Sequence, residues 1–173
     1  MTRRISLQNF QQEITRRIHE SRTNDSSGNR LAVQVGSENW LIDMTDINEV
    51  IIPPQLAQVP LAHDWFLGIA NIRGRLYTVV DLSAYAGGEA VHRQPENRLL
   101  LTHPRFGLHA ALLVDRVLGL RNTSNMHPVT DTGTAIAKPW NELLWQDEHN
   151  NIWHGLDMTS LVSNPAFLAA GIA

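Results

Sequence analysis

The sequence contains no cysteine and only one lysine, Lys138, among its 173 residues. The absence of cysteine excludes disulfide frameworks, thiolate nucleophiles and every cysteine-containing zinc site. Acidic residues outnumber basic ones by 17 to 14, and six arginines lie within residues 1–30. The rest of the chain is therefore acidic, without the clustered basic face that a nucleic-acid groove needs. We expect no nucleic-acid partner.

Long apolar runs are missing as well. The longest are about six residues, whereas a membrane-spanning helix needs roughly 18 or more. The first residues, Met1 to Asn9, carry basic side chains with no continuous apolar segment behind them, which is not the pattern of a secretory signal. We therefore expect a cytoplasmic protein that does not insert directly into the membrane.

Recognisable catalytic and cofactor-binding motifs are also missing. The sequence has no Gly-x-Ser-x-Gly elbow, phosphate loop, dinucleotide glycine pattern or His-Glu-x-x-His motif, and its carboxylates are scattered. The eight histidines are dispersed, and only His149 and His154 are near neighbours, across a predicted turn. The sequence therefore predicts no enzymatic activity, no catalytic residues, no cofactor and no metal site.

The N-terminal segment has the pattern of an amphipathic helix. Ser6 is a candidate N-cap, and apolar residues then recur at spacings of three and four, at Leu7, Phe10, Ile14 and Ile18. A polar linker follows, so we assign residues 1–29 to a helix and linker. The apolar face has three interpretations, which are packing on the protein's own barrel, pairing with a partner helix, or lying on an anionic membrane through nearby arginines. Glu13 and Glu20 dilute the basic charge, which favours the first two.

From residue 30 onward, short apolar segments alternate with turn residues. Leu31 to Met44 has the alternation of a β-hairpin, and a second hairpin is predicted around Glu148 to Asn151. Leu156 to Leu161 has the pattern of a short closing helix. Many short strands with regular turns are typical of small barrels or a sandwich.

A loop over residues 86–97 separates two halves that are both rich in predicted strands. We therefore place a first barrel at about residues 30–88 and a second at about residues 89–163. Residues 164–173 form a C-terminal tail.

Residues 47–82 are the most informative stretch. Ile47 to Ile52 has β-branched character, and Pro53-Pro54 ends the strand because proline cannot donate to a ladder. Two further strand-like runs are joined through the charged turn Asn71-Ile72-Arg73-Gly74. Gly68 in mid-strand predicts a bulge or the close approach of another backbone.

The order and spacing of these residues resemble the CheW-like family of chemotaxis coupling proteins. The resemblance covers roughly residues 30–163. It rests on Ile47 to Val50, Val59-Pro60, Gly68, Asn71 to Gly74, Val79 to Leu82, and Leu112 to Val117 with Asp115. The sequence departs from the pattern in two places. Thr78 stands where the family often has proline, and the glycine that is usual near Ala111 is absent.

The resemblance implies a mainly β protein built of two intertwined, five-stranded SH3-like barrels around a shared core. Such proteins hold the cytoplasmic tip of a methyl-accepting chemoreceptor and dock the regulatory domain of a CheA-like histidine kinase. Matched positions imply a partner-binding set of Ile47, Glu49, Gly68, Asn71, Arg73 and Gly74, with Val117 and Leu120 on the second barrel.

The leading helix and the ending with Pro165 to Leu168 resemble the PilI-like branch, which serves twitching motility by type IV pili. A flagellar coupling protein is the alternative within the family. Outside it, the alternative is a small β-barrel module that binds a ligand or nucleic acid.

Several of these residues also have structural interpretations. Gly74 suits a turn and Asp81 suits a helix cap. Arg73 has two, an internal ion pair with Glu49 or Asp81 and a contact with a partner. Thr78 keeps β propensity and supplies the backbone donor that proline lacks, so its strand is expected to pair more fully.

Overall fold

A computed structural model describes residues 28–129 and 140–171, within which the chain forms eleven β-strands and three short α-helices. The predicted N-terminal helix lies outside the described residues. The predicted short closing helix is confirmed as α2 (Met158–Val162), and it lies between α1 (Leu82–Tyr85) and α3 (Pro165–Leu168). The strands are β1 (Asn29–Val35), β2 (Glu38–Asp43), β3 (Ile47–Ile51), β4 (Phe66–Ile72), β5 (Arg75–Asp81), β6 (Arg98–Thr102), β7 (Ala110–Val114), β8 (Arg116–Asn122), β9 (His127–Val129), β10 (Asn141–Gln146) and β11 (Ile152–Leu156).

The strands form two sheets, and each sheet takes strands from both sides of the loop over residues 86–97. One is six-stranded in the order β8-β1-β2-β11-β10-β9, and the other is five-stranded in the order β3-β6-β7-β5-β4. Most pairs are antiparallel, but β2 pairs with β11 and β5 pairs with β7 in parallel. These two parallel pairs join segments that are far apart in the chain. The prediction of a mainly β, intertwined pair of SH3-like units is thereby confirmed, with one sheet carrying a short sixth strand.

Each sheet curls so that its two edge strands are linked by a short piece of chain. In the five-stranded sheet the chain continues past β3, and Ala57 pairs with Ile69 of β4 through two backbone hydrogen bonds of 2.8 Å. In the six-stranded sheet, β8 leads to β9 through one 3-10 turn at Thr123–Asn125. Closing the sheets in this way leaves fewer unpaired edge groups than open sheets would.

Buried side chains form three clusters, of which the largest lies between the sheets. It takes Leu31, Val33 and Trp40 from the six-stranded sheet and Val80, Leu100 and Leu112 from the five-stranded sheet. Alternate residues point into the individual barrels, so β6 sends Leu99 and Leu101 to a separate cluster within its own sheet. Because successive residues face opposite sides of a strand, the continuously apolar β6 and β7 are buried on both faces.

The end of β5 shows how local sequence fixes the packing. Asp81 is fully buried, accepts hydrogen bonds from the backbone N–H groups of Ala84 at 3.0 Å and Val91 at 2.7 Å, and caps α1. The capping role expected of Asp81 is confirmed. At Thr78 the backbone N–H donates to the His109 carbonyl at 2.9 Å, a bond that proline could not make.

Candidate functional site

A two-residue turn that joins β4 to β5 carries the most exposed of the predicted residues. Arg73 and Gly74 both have left-handed backbones, with φ of +52° and +80°. Two consecutive positive φ angles are typical of the hairpin turn whose twist matches the flanking strands. The Gly74 N–H donates to Asn71 Oδ1 at 3.0 Å, which fastens the turn. The left-handed conformation costs an arginine about 1 kcal/mol.

Arg73, in the turn after β4, forms an ion pair with Glu49 of β3. These two strands are the opposite edges of the five-stranded sheet. The distance from Arg73 Nη2 to Glu49 Oε1 is 2.6 Å, and 77% of the arginine side chain remains exposed. Of the two acids considered from sequence, Glu49 is therefore the partner and Asp81 is not, because Asp81 caps α1. Since exposed ion pairs contribute only about 0–1 kcal/mol to stability, the pair mainly fixes where the guanidinium lies.

Gly68 lies at a β-bulge and at a close approach of two backbones. The register of β4 against β5 shifts between Phe66 and Gly68, and Gly68 has a φ of +127°. A Cβ atom at this position would lie 2.2 Å from the Ala57 carbonyl oxygen. Both structural expectations for this glycine are confirmed, while its role in partner binding stays a prediction.

Exposed apolar side chains near the ion pair were missed at the sequence level. Ile52 is 70% exposed and Leu76 is 63% exposed. Ile52 follows β3, and Leu76 pairs across the β4–β5 ladder with Asn71. For Ile52 the available signal was the apolar run from Val50 to Ile52 at the end of the edge strand β3, since one face of such a strand has no layer to cover it. Leu76 lies on β5, an inner strand, and the sequence carried no such signal for it.

The remaining predicted residues fall in two different environments. Ile47, at the start of β3, is half-buried and packs against the large cluster between the sheets. Val117 of β8 packs against the same cluster, whereas Leu120 of that strand is 57% exposed. The set thus divides between the five-stranded sheet, which holds Ile47, Glu49, Gly68, Asn71, Arg73 and Gly74, and β8 at the edge of the six-stranded sheet.

A buried acid fixes the start of β3. Asp46 has only 10% of its side chain exposed and is paired with Arg105. Burial raises the pKa of Asp46 above its usual range, although the Arg105 guanidinium opposes the shift. The Asp46 carbonyl also accepts a hydrogen bond from the His103 N–H at 2.8 Å. These contacts fix the start of β3, the strand that carries Glu49.

Two general features bear on the type of site. No three histidine, aspartate or glutamate side chains within residues 28–129 and 140–171 are grouped so that they could hold a metal ion. Among the helices of the same ranges, none is long and apolar enough to cross a membrane.

The two curled sheets with a shared core define the fold class, a mainly β protein of two SH3-like barrels. A family model described as the CheW-like domain matches residues 30–165. The chain therefore belongs to the CheW-like domain family, whose scaffolding members are non-enzymatic adaptors that couple chemoreceptors to CheA-like kinases.

Individual relatives agree with this assignment. The chain is 29% identical to protein PilI of Pseudomonas aeruginosa over 92 residues, which are 53% of this chain and about half, 51%, of PilI. It is 27% identical to the chemotaxis protein CheW of Thermotoga maritima over 128 residues, covering 73% of this chain and 83% of that protein. The crystal structure of scaffolding protein TtCheW from Thermoanaerobacter tengcongensis superimposes with a TM-score of 0.64 at 19% identity, over 75% of this chain and 88% of that one. This last match shows the shared fold.

Proposed function

We propose that this protein is an adaptor in the cytoplasm that links the tip of a methyl-accepting chemoreceptor to the regulatory domain of a CheA-like histidine kinase. The observation that supports this most directly is the Arg73 turn. It holds a strained arginine whose side chain is 77% exposed while paired with Glu49 at 2.6 Å. A preoriented and accessible guanidinium is suited to recognising a carboxylate on another protein.

Two exposed apolar side chains, each three residues from a member of the ion pair, supply the second component of the proposed contact. Ile52 and Leu76 are exposed by more than half. Affinity in protein interfaces comes mainly from a few anchors that are buried on binding, while rim charges govern orientation and specificity. The proposed roles are therefore anchoring by the apolar side chains and orientation by Arg73.

The proposed partner-binding residues lie in two parts of the fold, and we propose that each part contacts a different partner. Ile47, Glu49, Gly68, Asn71, Arg73 and Gly74 serve one partner on the five-stranded sheet. Val117 and Leu120 belong to a separate contact on β8, because they lie on the other sheet. Two contact regions are the minimum that an adaptor needs to hold a receptor and a kinase together.

We further propose that the pathway controls twitching motility by type IV pili. The similarity to PilI supports this branch, and the longer alignment with CheW of Thermotoga maritima supports the flagellar alternative. Receptor tips and kinase domains from pilus-linked and flagellar arrays should therefore be compared side by side. We expect tighter binding to the pilus-linked pair.

The first test reverses the charge at the centre of the turn. Arg73→Glu is expected to weaken binding of one partner by roughly tenfold, as loss of a charged hydrogen-bonded contact usually does. Binding is measured by isothermal titration, and the fold is checked by amide NMR. The matched control is Arg93→Glu, which makes the same charge change at an exposed residue of the loop after α1.

A double exchange separates the internal ion pair from the partner contact. Glu49→Arg combined with Arg73→Glu restores a pair of opposite charges between positions 49 and 73. If Arg73 and Glu49 contact the partner, as the proposed set has it, binding stays weak in the double variant even though the internal pair is restored. Full recovery of binding, or wild-type binding by Arg73→Glu alone, would contradict the proposed role.

A further inference from the structure

A cavity of about 590 Å³ lies away from the partner-binding set, where the turn between β1 and β2 meets the segment that follows α1. None of the proposed partner-binding residues lines it. Its polar wall includes Gly36, Glu38, Ser83, Gly88 and Glu89. The cavity therefore has two carboxylates on its wall, and no lysine or arginine from the described part of the chain lines it.

Ser83 is the least explained polar residue of the cavity wall. It is only 3% exposed, and its hydroxyl makes no hydrogen bond with any residue in the described part of the chain. A Cβ atom at Gly36 would lie 3.0 Å from Ser83 Oγ, and one at Gly88 would lie 2.9 Å from it. Glycine at these two positions thus leaves the hydroxyl room. The hydroxyl lies on the cavity wall without a partner in the described part of the chain, so it is available to a ligand.

Glu38 is held in position by the protein's own side chains. Its Oε2 accepts a hydrogen bond from Trp40 Nε1 at 3.2 Å, and its Oε1 lies 3.9 Å from His154 Nε2. Trp40 in turn stacks on Trp140, with ring centroids 5.5 Å apart. The carboxylate is therefore preorganised at the cavity, with half of its side chain still exposed.

We propose that this cavity binds a guanidinium group on a short methylene stem, as found in arginine, either free or presented by a peptide. The wall offers acceptors at Glu38, Glu89 and Ser83, which a planar group with five N–H donors can engage in different directions. Val35 and Ala86 supply an apolar wall for the methylene stem. An ammonium group is more strongly hydrated and acts as a single point of charge, so it fits this arrangement less well.

The test uses the full-length protein and three small probes. L-arginine amide, L-lysine amide and L-citrulline amide, whose side chain is uncharged, are titrated while the backbone amide NMR signals of Gly36, Gly87 and Gly88 are followed. We expect saturable shifts with arginine amide, weaker ones with lysine amide and none with citrulline amide. A short peptide with one arginine distinguishes the two sources. If the natural ligand is a peptide, this peptide binds more tightly than arginine amide. If the natural ligand is free arginine, the peptide binds no more tightly.

Variants connect the binding to the cavity. Glu38→Gln keeps an acceptor for Trp40 but removes the charge, and we expect it to weaken arginine-amide binding by roughly threefold to tenfold. Gly88→Ala places a methyl group against Ser83 and is expected to weaken binding similarly. Glu148→Gln, an exposed glutamate in the turn between β10 and β11, is the control and should bind as the wild type does.

The proposal is overturned by any of three results. These are no saturable shift at the three glycines, equal shifts with citrulline amide, or unchanged affinity in both Glu38→Gln and Gly88→Ala. An unchanged spectrum away from the cavity shows in each variant that the fold is intact, so loss of binding then reports on the site itself.

Discussion

Gly68 has a closer backbone neighbour than a side chain at its position would tolerate. A Cβ atom there would lie 2.2 Å from the Ala57 carbonyl, and the φ of +127° disfavours any L side chain as well. The glycine therefore allows the chain after β3 to pair with β4 and close the barrel. Its presence in the family-like pattern has a structural reason that is independent of any partner.

Gly68→Ala is expected to destabilise the protein by about 2–4 kcal/mol, because overpacking adds to backbone strain. The free energy of unfolding is measured by urea denaturation. Gly107→Ala is the matched control, since Gly107 has a φ of +65° and a Cβ atom added there would meet no atom within 4 Å. We expect that variant to lose only about 1 kcal/mol. Equal losses would show that the Ala57 contact does not restrict Gly68.

For individual residues, the sequence predicted the roles that depend on local pattern and missed those that depend on distant contacts. A glycine in mid-strand and an arginine beside a turn are local signals, so the bulge at Gly68 and the ion pair of Arg73 could be anticipated. The identity of Ala57 as the close neighbour, and the exposure of Ile52 and Leu76, depend on how the barrel closes. That closure is a contact between segments far apart in the chain.

Among the elements, the hairpin formed by β10 and β11 depends strongly on one aspartate in its turn. Asp147 accepts hydrogen bonds from the backbone N–H groups of His149 and Asn151, each at 2.9 Å, and from Trp153 Nε1 at 2.9 Å. Side-chain hydrogen bonds from Asn151 and Trp153 hold the pKa of Asp147 well below its usual range. The sequence predicted the hairpin, but this network requires the turn geometry.

Because the pKa of Asp147 is lowered in the folded state, the stability that Asp147 contributes depends on pH. Between the folded and unfolded pKa values of Asp147, the unfolded state binds more protons, so stability rises with pH. The contribution is present above the ordinary aspartate pKa of about 3.9 and is lost as the pH falls through the lower folded value.

We expect Asp147→Asn to reduce the loss of stability that the protein shows between about pH 5 and about pH 2. The measurement is urea denaturation across this range, with Glu148→Gln as the control for the loss of a neighbouring carboxylate. The same pH slope in Asp147→Asn and the wild type would contradict the assigned role of Asp147.

At the scale of the whole molecule, the two sheets cannot be assigned to separate halves of the sequence. The parallel pairs β2–β11 and β5–β7 each join distant parts of the chain, and the largest cluster of buried residues takes side chains from both sheets. Strand positions followed from local alternation, but these pairings did not, because non-local contacts leave no periodic pattern in the sequence. The boundary near residue 88 stays a prediction.

An intertwined core also bears on the proposed function. The proposed contact regions on the five-stranded sheet and on β8 are held at a fixed separation by one shared core, because closely packed interiors deform little. A rigid body of this kind can place two partners in a defined relative geometry without any moving part. That is the property the adaptor proposal requires.

The most direct test of that proposal is sedimentation velocity of the full-length protein mixed with a receptor-tip fragment and a kinase regulatory domain. The adaptor proposal predicts one ternary species that sediments faster than either binary complex. It also predicts that Arg73→Glu weakens association with one partner and leaves association with the other unchanged. Absence of association with both partners, or displacement of one partner by the other, would contradict it.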